Sequence, residues 1–264
     1  MIGRVLLVAI ASSACVEPVY DDRLGVAGVP TDEGALAGTF GLASTAADLA
    51  EVPLLGEQVG GGMTFALVTR AWDGAGYAQT NTICRVINYD VAGLSSAVSE
   101  DTVHTIPQVP VVITIDHASG AVATERFFEL WAVRGLSPDE DMPTAPDDAR
   151  FSTYFYDMDG DGNPGATMTT SGLVSGEVYF AQRKGLAFTG VVRGPDESFG
   201  LLEHKKEATV IDATDDLLKT QTVRAQHPDP KQSWWHEVRL ADSAGCADLT
   251  AAVDDGTFSL LRPF

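Results

Sequence analysis

The sequence has 264 residues, of which 45% are hydrophobic and 20% charged, so it holds enough apolar material for a sizeable core and is not a wholly disordered chain. It carries 17 basic against 37 acidic residues, a net charge of −20. Such a surface repels phosphate groups, which argues against a nucleic-acid partner. The same charge balance suits an exported protein in surroundings rich in cations.

Residues 1–14 read MIGRVLLVAIASSA and have the three parts of a short signal peptide. Arg4 is the single charge, an apolar run follows it, and small residues end the segment. The apolar run is too short to cross a bilayer, which takes about 20 residues. We therefore expect residues 1–14 to be a signal peptide and the protein to be exported.

Cys15 follows the small residues at once, and this arrangement resembles the signal of bacterial lipoproteins. In that family the segment runs Leu, small, small, Cys, whereas Ser12 stands here in the place of the Leu. The resemblance implies that Cys15 is the lipidated N-terminus and that residues 15–33 tether the protein to a membrane. It also implies a bacterial envelope location, facing the periplasm or the exterior. The alternative is ordinary signal cleavage and secretion.

Residues 34–264 read as a single β-rich domain. Asp73-Gly74-Ala75-Gly76 separates two runs of β-forming residues and predicts a hairpin, and His117 to Gly120 marks a second one. Turn signals recur about every ten residues, which is typical of all-β folds. The sequence therefore predicts an antiparallel barrel-like or sandwich domain with long acidic loops, the longest being residues 137–149.

Several shorter segments carry weaker signals. Residues 151–156 alternate in β-forming residues and are expected to be a strand. Residues 44–50 and 215–220 are the best helical candidates, and Gly60-Gly61-Gly62 reads as a flexible turn.

Residues 157–165 read DMDGDGNPG and carry the clearest chemical motif. Carboxylates at alternate positions converge when a loop curls, glycine permits the sharp reversal, and hard oxygen ligands select Ca²⁺. We expect Asp157, Asp159 and Asp161 to ligate one Ca²⁺, together with the backbone carbonyl of Asn163. A solvated acidic turn is the alternative, because Asp and Gly also favour turns.

This spacing resembles the Asp-x-Asp-x-Asp-Gly loops of EF-hands and of integrin-type FG-GAP repeats, and it resembles loops of exported bacterial lipoproteins of unknown function. The resemblance implies an ion, not a fold. The EF-hand's Glu at position twelve is Met168 here, and the FG-GAP Asp at position nine is Gly165. One carboxylate is therefore missing. Either it comes from a neighbouring segment, where the candidates are Asp147, Asp148 and Glu177, or water fills its place.

Besides Cys15, the sequence contains two cysteines, Cys84 and Cys246. Export permits a disulfide, and a bridge that closes so long a loop stabilises by up to ~5 kcal/mol in the chain-entropy model. We predict that these residues are bridged. Two separate buried thiols are the alternative.

Two classes of function follow. The first is a non-catalytic envelope lipoprotein, held to the membrane by its lipid, whose calcium-stabilised β-domain binds a glycan, a small apolar ligand or an envelope protein. The second is an exported hydrolase with carboxylate catalysis, for which Glu125 and Glu129 are the candidate pair. The sequence contains no Gly-x-Ser-x-Gly motif, and this favours the first class.

Overall fold

The computed structural model describes residues 25–52, 56–91, 93–144, 148–219 and 224–258. Within these ranges, twelve strands form one antiparallel sheet. The strands are β1 (Gly38–Val52), β2 (Gly56–Trp72), β3 (Tyr77–Asn88), β4 (Leu94–Val98), β5 (Val109–Asp116), β6 (Ala121–Thr124), β7 (Phe127–Trp131), β8 (Ala166–Gly172), β9 (Gly176–Gly194), β10 (Glu197–Ala213), β11 (Arg224–Gln226) and β12 (Trp234–Arg239). The helices are α1 (Glu100–His104), α2 (Phe151–Tyr154) and α3 (Cys246–Asp254), with 3₁₀ turns at Asp216–Lys219 and Pro230–Gln232.

Eight of the strands close into a ring. The pairing path runs β10, β12, β1, β2, β3, β5, β6 and β9, and β9 then pairs with β10 again. A closed ring has no unpaired edge, so its strands do not template pairing with other chains. The predicted all-β class is confirmed, and its closure is of the barrel-like kind.

Strand β9 organises the rest of the sheet. One of its edges pairs with β10 along nearly its whole length of 19 residues. The other edge takes three partners in succession: β6 near its C-terminal end, β7 in the middle and β8 at its start. Strand β4 extends the sheet beyond β8, and β11 pairs with β1.

The inside of the ring is packed with side chains, because alternate residues of each strand point inward. Most are apolar, but Arg70 and Glu237 form a buried ion pair with a separation of 2.8 Å between Nη2 and Oε2. Arg70 also donates two hydrogen bonds to Gln79. Two voids among these side chains measure about 10 Å³ each, which is room for about one water molecule.

Both predicted hairpins are confirmed, but other local predictions are wrong. Residues 44–50 lie inside β1 rather than in a helix, because pairing with β2 on one side and with β12 and β11 on the other overrides the helix propensity of their alanines. Residues 151–156 begin as helix α2 rather than a strand, since a turn closed by a Phe151 N–H bond to the carbonyl of Asp148 initiates it.

Gly60-Gly61-Gly62 does not form a turn but lies within β2. Gly61 has a φ of +124°, and a Cβ there would lie 2.0 Å from the carbonyl oxygen of Ala46. Gly61 therefore lets β1 and β2 approach closely. Residues 215–220 hold a 3₁₀ turn over Asp216–Lys219, and helix α3 was not predicted at all.

Cys84 of β3 and Cys246 of α3 lie at disulfide distance, with their Cα atoms 5.2 Å apart, as the sequence predicts. The bridge fixes α3 over the outer face of β1 and β2, where a second apolar cluster forms. In this cluster Phe65 and Leu249 are almost fully buried. The disulfide thus holds a layer of core that lies outside the ring.

We predict that replacing both Cys84 and Cys246 by Ala lowers the free energy of unfolding by about 2–5 kcal/mol, because a native bridge is lost. Chemical denaturation followed by tryptophan fluorescence measures the change. Reductant should destabilise the wild type to the same extent and leave the double variant unaffected. Equal stability of wild type and variant without reductant would refute a stabilising bridge.

Candidate metal centre

The acidic loop, residues 157–165, joins α2 to β8 and is closed at its base. The N–H of Met158 donates to the carbonyl of Gly165 at 2.9 Å, and the N–H of Gly165 donates to the carbonyl of Tyr156 at 3.0 Å. The Met158 side chain is buried in the core, so the alternate residues on either side of it point away from the core. Gly160 and Gly162 both have positive φ, which allows the chain to reverse between the carboxylates.

The three predicted aspartates converge. One carboxylate oxygen from each of Asp157, Asp159 and Asp161 lies within 4.8 Å of the others. At that separation each pair of charges repels by about 1 kcal/mol in water. The loop therefore concentrates negative charge at one point, as oxygen cages for hard cations do.

Backbone amides hold two of these carboxylates in place. Asp157 accepts the N–H of Gly160 at 2.7 Å and that of Gly162 at 3.0 Å. Asp161 accepts the N–H of Asn163 at 2.8 Å and the hydroxyl of Thr167 at 2.7 Å. A carboxylate oxygen has two lone pairs, so these bonds leave room for a cation.

Hydrogen bonding also controls the ionisation of Asp161. The Thr167 hydroxyl, and next the N–H of Asn163, lower the pKa of Asp161 below its usual value. A lowered carboxyl pKa means that the folded protein favours the ionised form at neutral pH and loses this stabilisation as the pH falls through that pKa.

Asp159 links the loop to two other elements. Its Oδ2 accepts the N–H of Thr167 in β8 at 2.8 Å and the hydroxyl of Thr102 in α1 at 3.2 Å. Its Oδ1 is buried and has no hydrogen-bond partner among the described residues. A buried carboxylate oxygen without a partner is rare in folded proteins and calls for a donor, a water or a cation.

The other predicted ligands differ in their placement. Asn163 lies in the loop with its N–H on Asp161, and the ligand role of its carbonyl stays a prediction. Asp148 pairs with Arg150 at 2.8 Å, and Glu177 accepts the hydroxyl of Tyr179 at 2.9 Å, so the structure brings neither into the cluster. Asp147 lies outside the described residues.

Thr102 and Thr167 complete the surroundings of the loop, and the sequence motif did not identify them. Thr167 directly follows the loop, so its hydroxyl was a nearby candidate. Thr102 lies 57 residues before Asp159, on a five-residue helix capped by the Ser99 hydroxyl. No spacing in the sequence connects that helix to the loop.

The paired carboxylates of the hydrolase hypothesis do not share a cleft. Glu129 lies in β7 and is almost fully buried inside the ring, whereas Glu125 lies between β6 and β7 and is exposed. The break between the two strands shifts the alternation of side chains, so residues four apart face different surroundings.

The N-terminal predictions lie mostly outside the described residues. The signal peptide, Cys15 and the tether as far as residue 24 belong to that part. From Val29 onward the chain is attached to the ring, where the N–H of Val29 donates to the carbonyl of Val192 and that of Thr31 to the carbonyl of His117. Among the described residues, no helix has the length and apolar character needed to cross a membrane.

Comparisons with protein-family models, with curated proteins and with solved structures found no significant match.

We predict that Thr102→Val destabilises the protein by about 1 kcal/mol, because the Thr102 hydroxyl no longer donates to Oδ2 of Asp159 and no longer contacts the hydroxyl of Ser99. The melting temperature should fall by about 2–4 °C in a domain of this size. Differential scanning calorimetry in EDTA measures the effect, with Thr105→Val as the control, since its hydroxyl bonds only the helix carbonyl of Thr102. A loss for Thr102→Val no greater than for the control would contradict the link.

Proposed function

We propose that this chain is a non-catalytic cell-envelope lipoprotein whose β-domain is stabilised by one Ca²⁺ in the acidic loop. The observation that carries the calcium proposal is the unpartnered, buried Oδ1 of Asp159, which lies in a cluster with the carboxylates of Asp157 and Asp161. A cation there would satisfy this oxygen and neutralise the mutual repulsion of the three charges at the same time.

The donor set fits calcium better than its competitors. All three side chains offer oxygen, which the harder cations prefer, and no His or Cys belongs to the group. With the Asn163 carbonyl they supply four oxygens, so waters would complete the six to eight that Ca²⁺ takes. Mg²⁺ demands a stricter octahedron and is the weaker candidate. A site with so few protein ligands suits the 10⁻⁴–10⁻³ M affinities of extracellular modules.

The role of the ion would be structural. Asp159 already connects the loop to α1 and to β8, and β8 connects it to β9. An ion that fixes the Asp159 carboxylate would therefore hold α1 against the flank of the sheet. This arrangement supports a stabilising ion rather than a catalytic one.

The proposed binding of a glycan or an envelope protein rests on the outer surface. Each of the two voids inside the ring has room for about one water molecule, so neither admits a small apolar ligand. The long loops and the strongly acidic exterior remain as the surface that a partner would meet.

We predict that 10 mM Ca²⁺ stabilises the EDTA-treated protein. With a Kd of 10⁻⁴–10⁻³ M the gain is about 1.4–2.7 kcal/mol, since the ion binds only the folded state. Asp159→Asn should abolish the gain while keeping the shape of the side chain, and Mg²⁺ should stabilise the wild type less. Thermal unfolding in EDTA, Ca²⁺ and Mg²⁺ measures this.

Asp116→Ala provides the matched control for the calcium experiment. Asp116 is an exposed turn carboxylate that accepts hydrogen bonds from Ala118 and Ser119 but belongs to no acidic cluster. This variant should keep the full response to Ca²⁺. A wild-type melting temperature that is the same in EDTA and in Ca²⁺ would overturn the calcium proposal.

We further predict that the native protein begins at a diacylated or triacylated Cys15. Several acyl chains anchor firmly whereas one alone binds weakly, so Cys15→Ser should release the protein from the membrane fraction or leave it uncleaved. Intact mass spectrometry of protein from the envelope decides between the alternatives. An unmodified N-terminus at another residue would indicate simple secretion.

A further inference from the structure

A second charged cluster lies on the inner face of the ring, at the part of β9 and β10 that approaches β1, β7 and β11. Lys184 of β9 and Lys206 of β10 are directly paired across the two strands. Glu129 of β7 pairs with Lys184 from the opposite side. Like charges at directly paired positions destabilise a sheet, so this arrangement of two lysines needs compensation from elsewhere.

The carboxylates of this cluster are already engaged. Asp48 lies 2.7 Å from Nε2 of His204, and both side chains are nearly completely buried. Glu129 accepts a long hydrogen bond from Nε1 of Trp131, and its other oxygen lies 4.0 Å from Nζ of Lys184. Neither carboxylate forms an ion pair with Lys206.

A third cation closes the cluster. Arg224 of β11 pairs with Ala50 of β1. Its side chain extends over Gly60 of β2, since a Cβ added to that glycine would lie 2.9 Å from Nη1 of Arg224. Both residues take part in strand pairing through their backbones, but the side chains of Arg224 and Lys206 make no hydrogen bond or salt bridge in the part of the chain that the structure describes. Among the described residues, the cluster thus sets three basic side chains against two carboxylates.

The charges act on one another strongly. Burial, and then the charges of Arg224 and Lys184, lower the pKa of Lys206 to about 8, although Asp48 and Glu129 oppose the shift. Burial would raise the pKa of Asp48, but the hydrogen bond to His204 and the charges of Lys206, His204 and Arg224 hold it below its usual value. Lys206 and Asp48 therefore both respond to Arg224 as a neighbouring positive charge, in a protein whose net charge is −20.

We propose that Lys206, Lys184 and Arg224 bind a small oxyanion, phosphate or sulfate, either free or as the end group of a ligand. Two ammonium groups and a guanidinium supply charged donors from three strands, and the planar guanidinium suits two oxygens of one oxyanion. Lys206 is only half-buried, so solvent reaches the cluster. The acidic exterior repels a polyanion, so the proposal is limited to a small anion that approaches at Lys206. The proposal is independent of the calcium proposal.

The test uses the calcium-free protein in EDTA at pH 7. Sulfate or inorganic phosphate is titrated up to 20 mM and compared with NaCl of the same ionic strength. We expect a saturable rise in melting temperature, about 3–5 °C at ten times the Kd, for the oxyanions only. Lys206→Met should abolish the saturable rise. If sulfate and phosphate raise the melting temperature to different extents, the oxyanion with the larger rise identifies the end group that a larger ligand would carry.

Lys205→Met is the matched control, because Lys205 is the next residue along β10, is exposed and pairs with Glu207 at 3.5 Å. It should respond to the oxyanions as the wild type does, which also corrects for the general salting-out effect of sulfate. Arg224→Gln is the second loss variant and keeps the test decisive if Lys206→Met folds poorly. No saturable rise in the wild type, or an equal rise in Lys206→Met or Arg224→Gln, would overturn the proposal.

The same variant, measured without oxyanion, tests whether Lys206 only stabilises the fold. Because folding lowers the pKa of Lys206, its charged form destabilises the folded protein, and this cost is fully present below about pH 8. Lys206→Met should therefore raise the melting temperature at pH 7. The difference from wild type should shrink at pH 10, where Lys206 is neutral in the folded protein. A lower melting temperature for Lys206→Met at pH 7 would mean that the lysine stabilises the fold and would contradict the proposal.

Discussion

The pairing of β9 with β10 is the constraint on which the rest of the structure depends. It closes the ring, and it fixes β9 as a continuous strand of 19 residues with a second edge still open. Three short strands share that edge, and none of them is long enough to pair with all of it. The order of these strands along β9 determines the positions of the charged groups. Strand β8 places the acidic loop near the start of β9, and β7 places the buried Glu129 beside the middle of β9.

Adjacent residues of β9 also make contacts on opposite faces of the sheet. Lys184 lies beside Glu129 on the inner face of the ring, whereas Arg183, the preceding residue, faces the opposite side and contacts the segment of residues 137–144. Arg183 donates to the carbonyls of Ser137 and Glu140 at 2.8 and 2.7 Å and to the carboxylate of Glu207. The buried guanidinium of Arg183 thus donates hydrogen bonds to backbone carbonyls of the irregular, Pro-rich segment. These bonds hold that segment against the sheet.

The features that were predictable from the sequence are those determined by neighbouring residues. The Asp73 turn predicted a hairpin because its side chain caps the N–H groups of Ala75 and Gly76, an interaction that does not depend on distant strands. The convergence of the three aspartates was equally local, since three glycines and the alternation of side chains produce it. The pairing of the two cysteines followed from counting, because Cys84 and Cys246 are the two cysteines of the sequence besides Cys15, the predicted lipidation residue.

The features that were missed depend on long-range contacts. Residues 44–50 have the composition of a helix, and only pairing on both sides makes them a strand. Thr102 approaches Asp159 through a helix that no pattern predicted, and α3 has a weak apolar stripe because it covers a small outer cluster. Cation clusters such as the one at Lys206 are also invisible in a sequence, since they require the register of β9 on β10.

Net charge therefore describes the exterior of this protein and not its interior. The carboxylates of Asp157, Asp159 and Asp161 converge in a loop on the flank of the sheet. Lys184, Lys206 and Arg224 lie on the inner face of the ring, where burial makes the repulsion between their charges stronger. Both clusters contact β9, but at different positions along it. Strand β8, which follows the acidic loop, pairs with β9 as far as Phe180. Lys184 lies four residues farther along β9, which is about 13 Å in a strand. One strand thus carries two charged clusters of opposite sign at separate positions along its length.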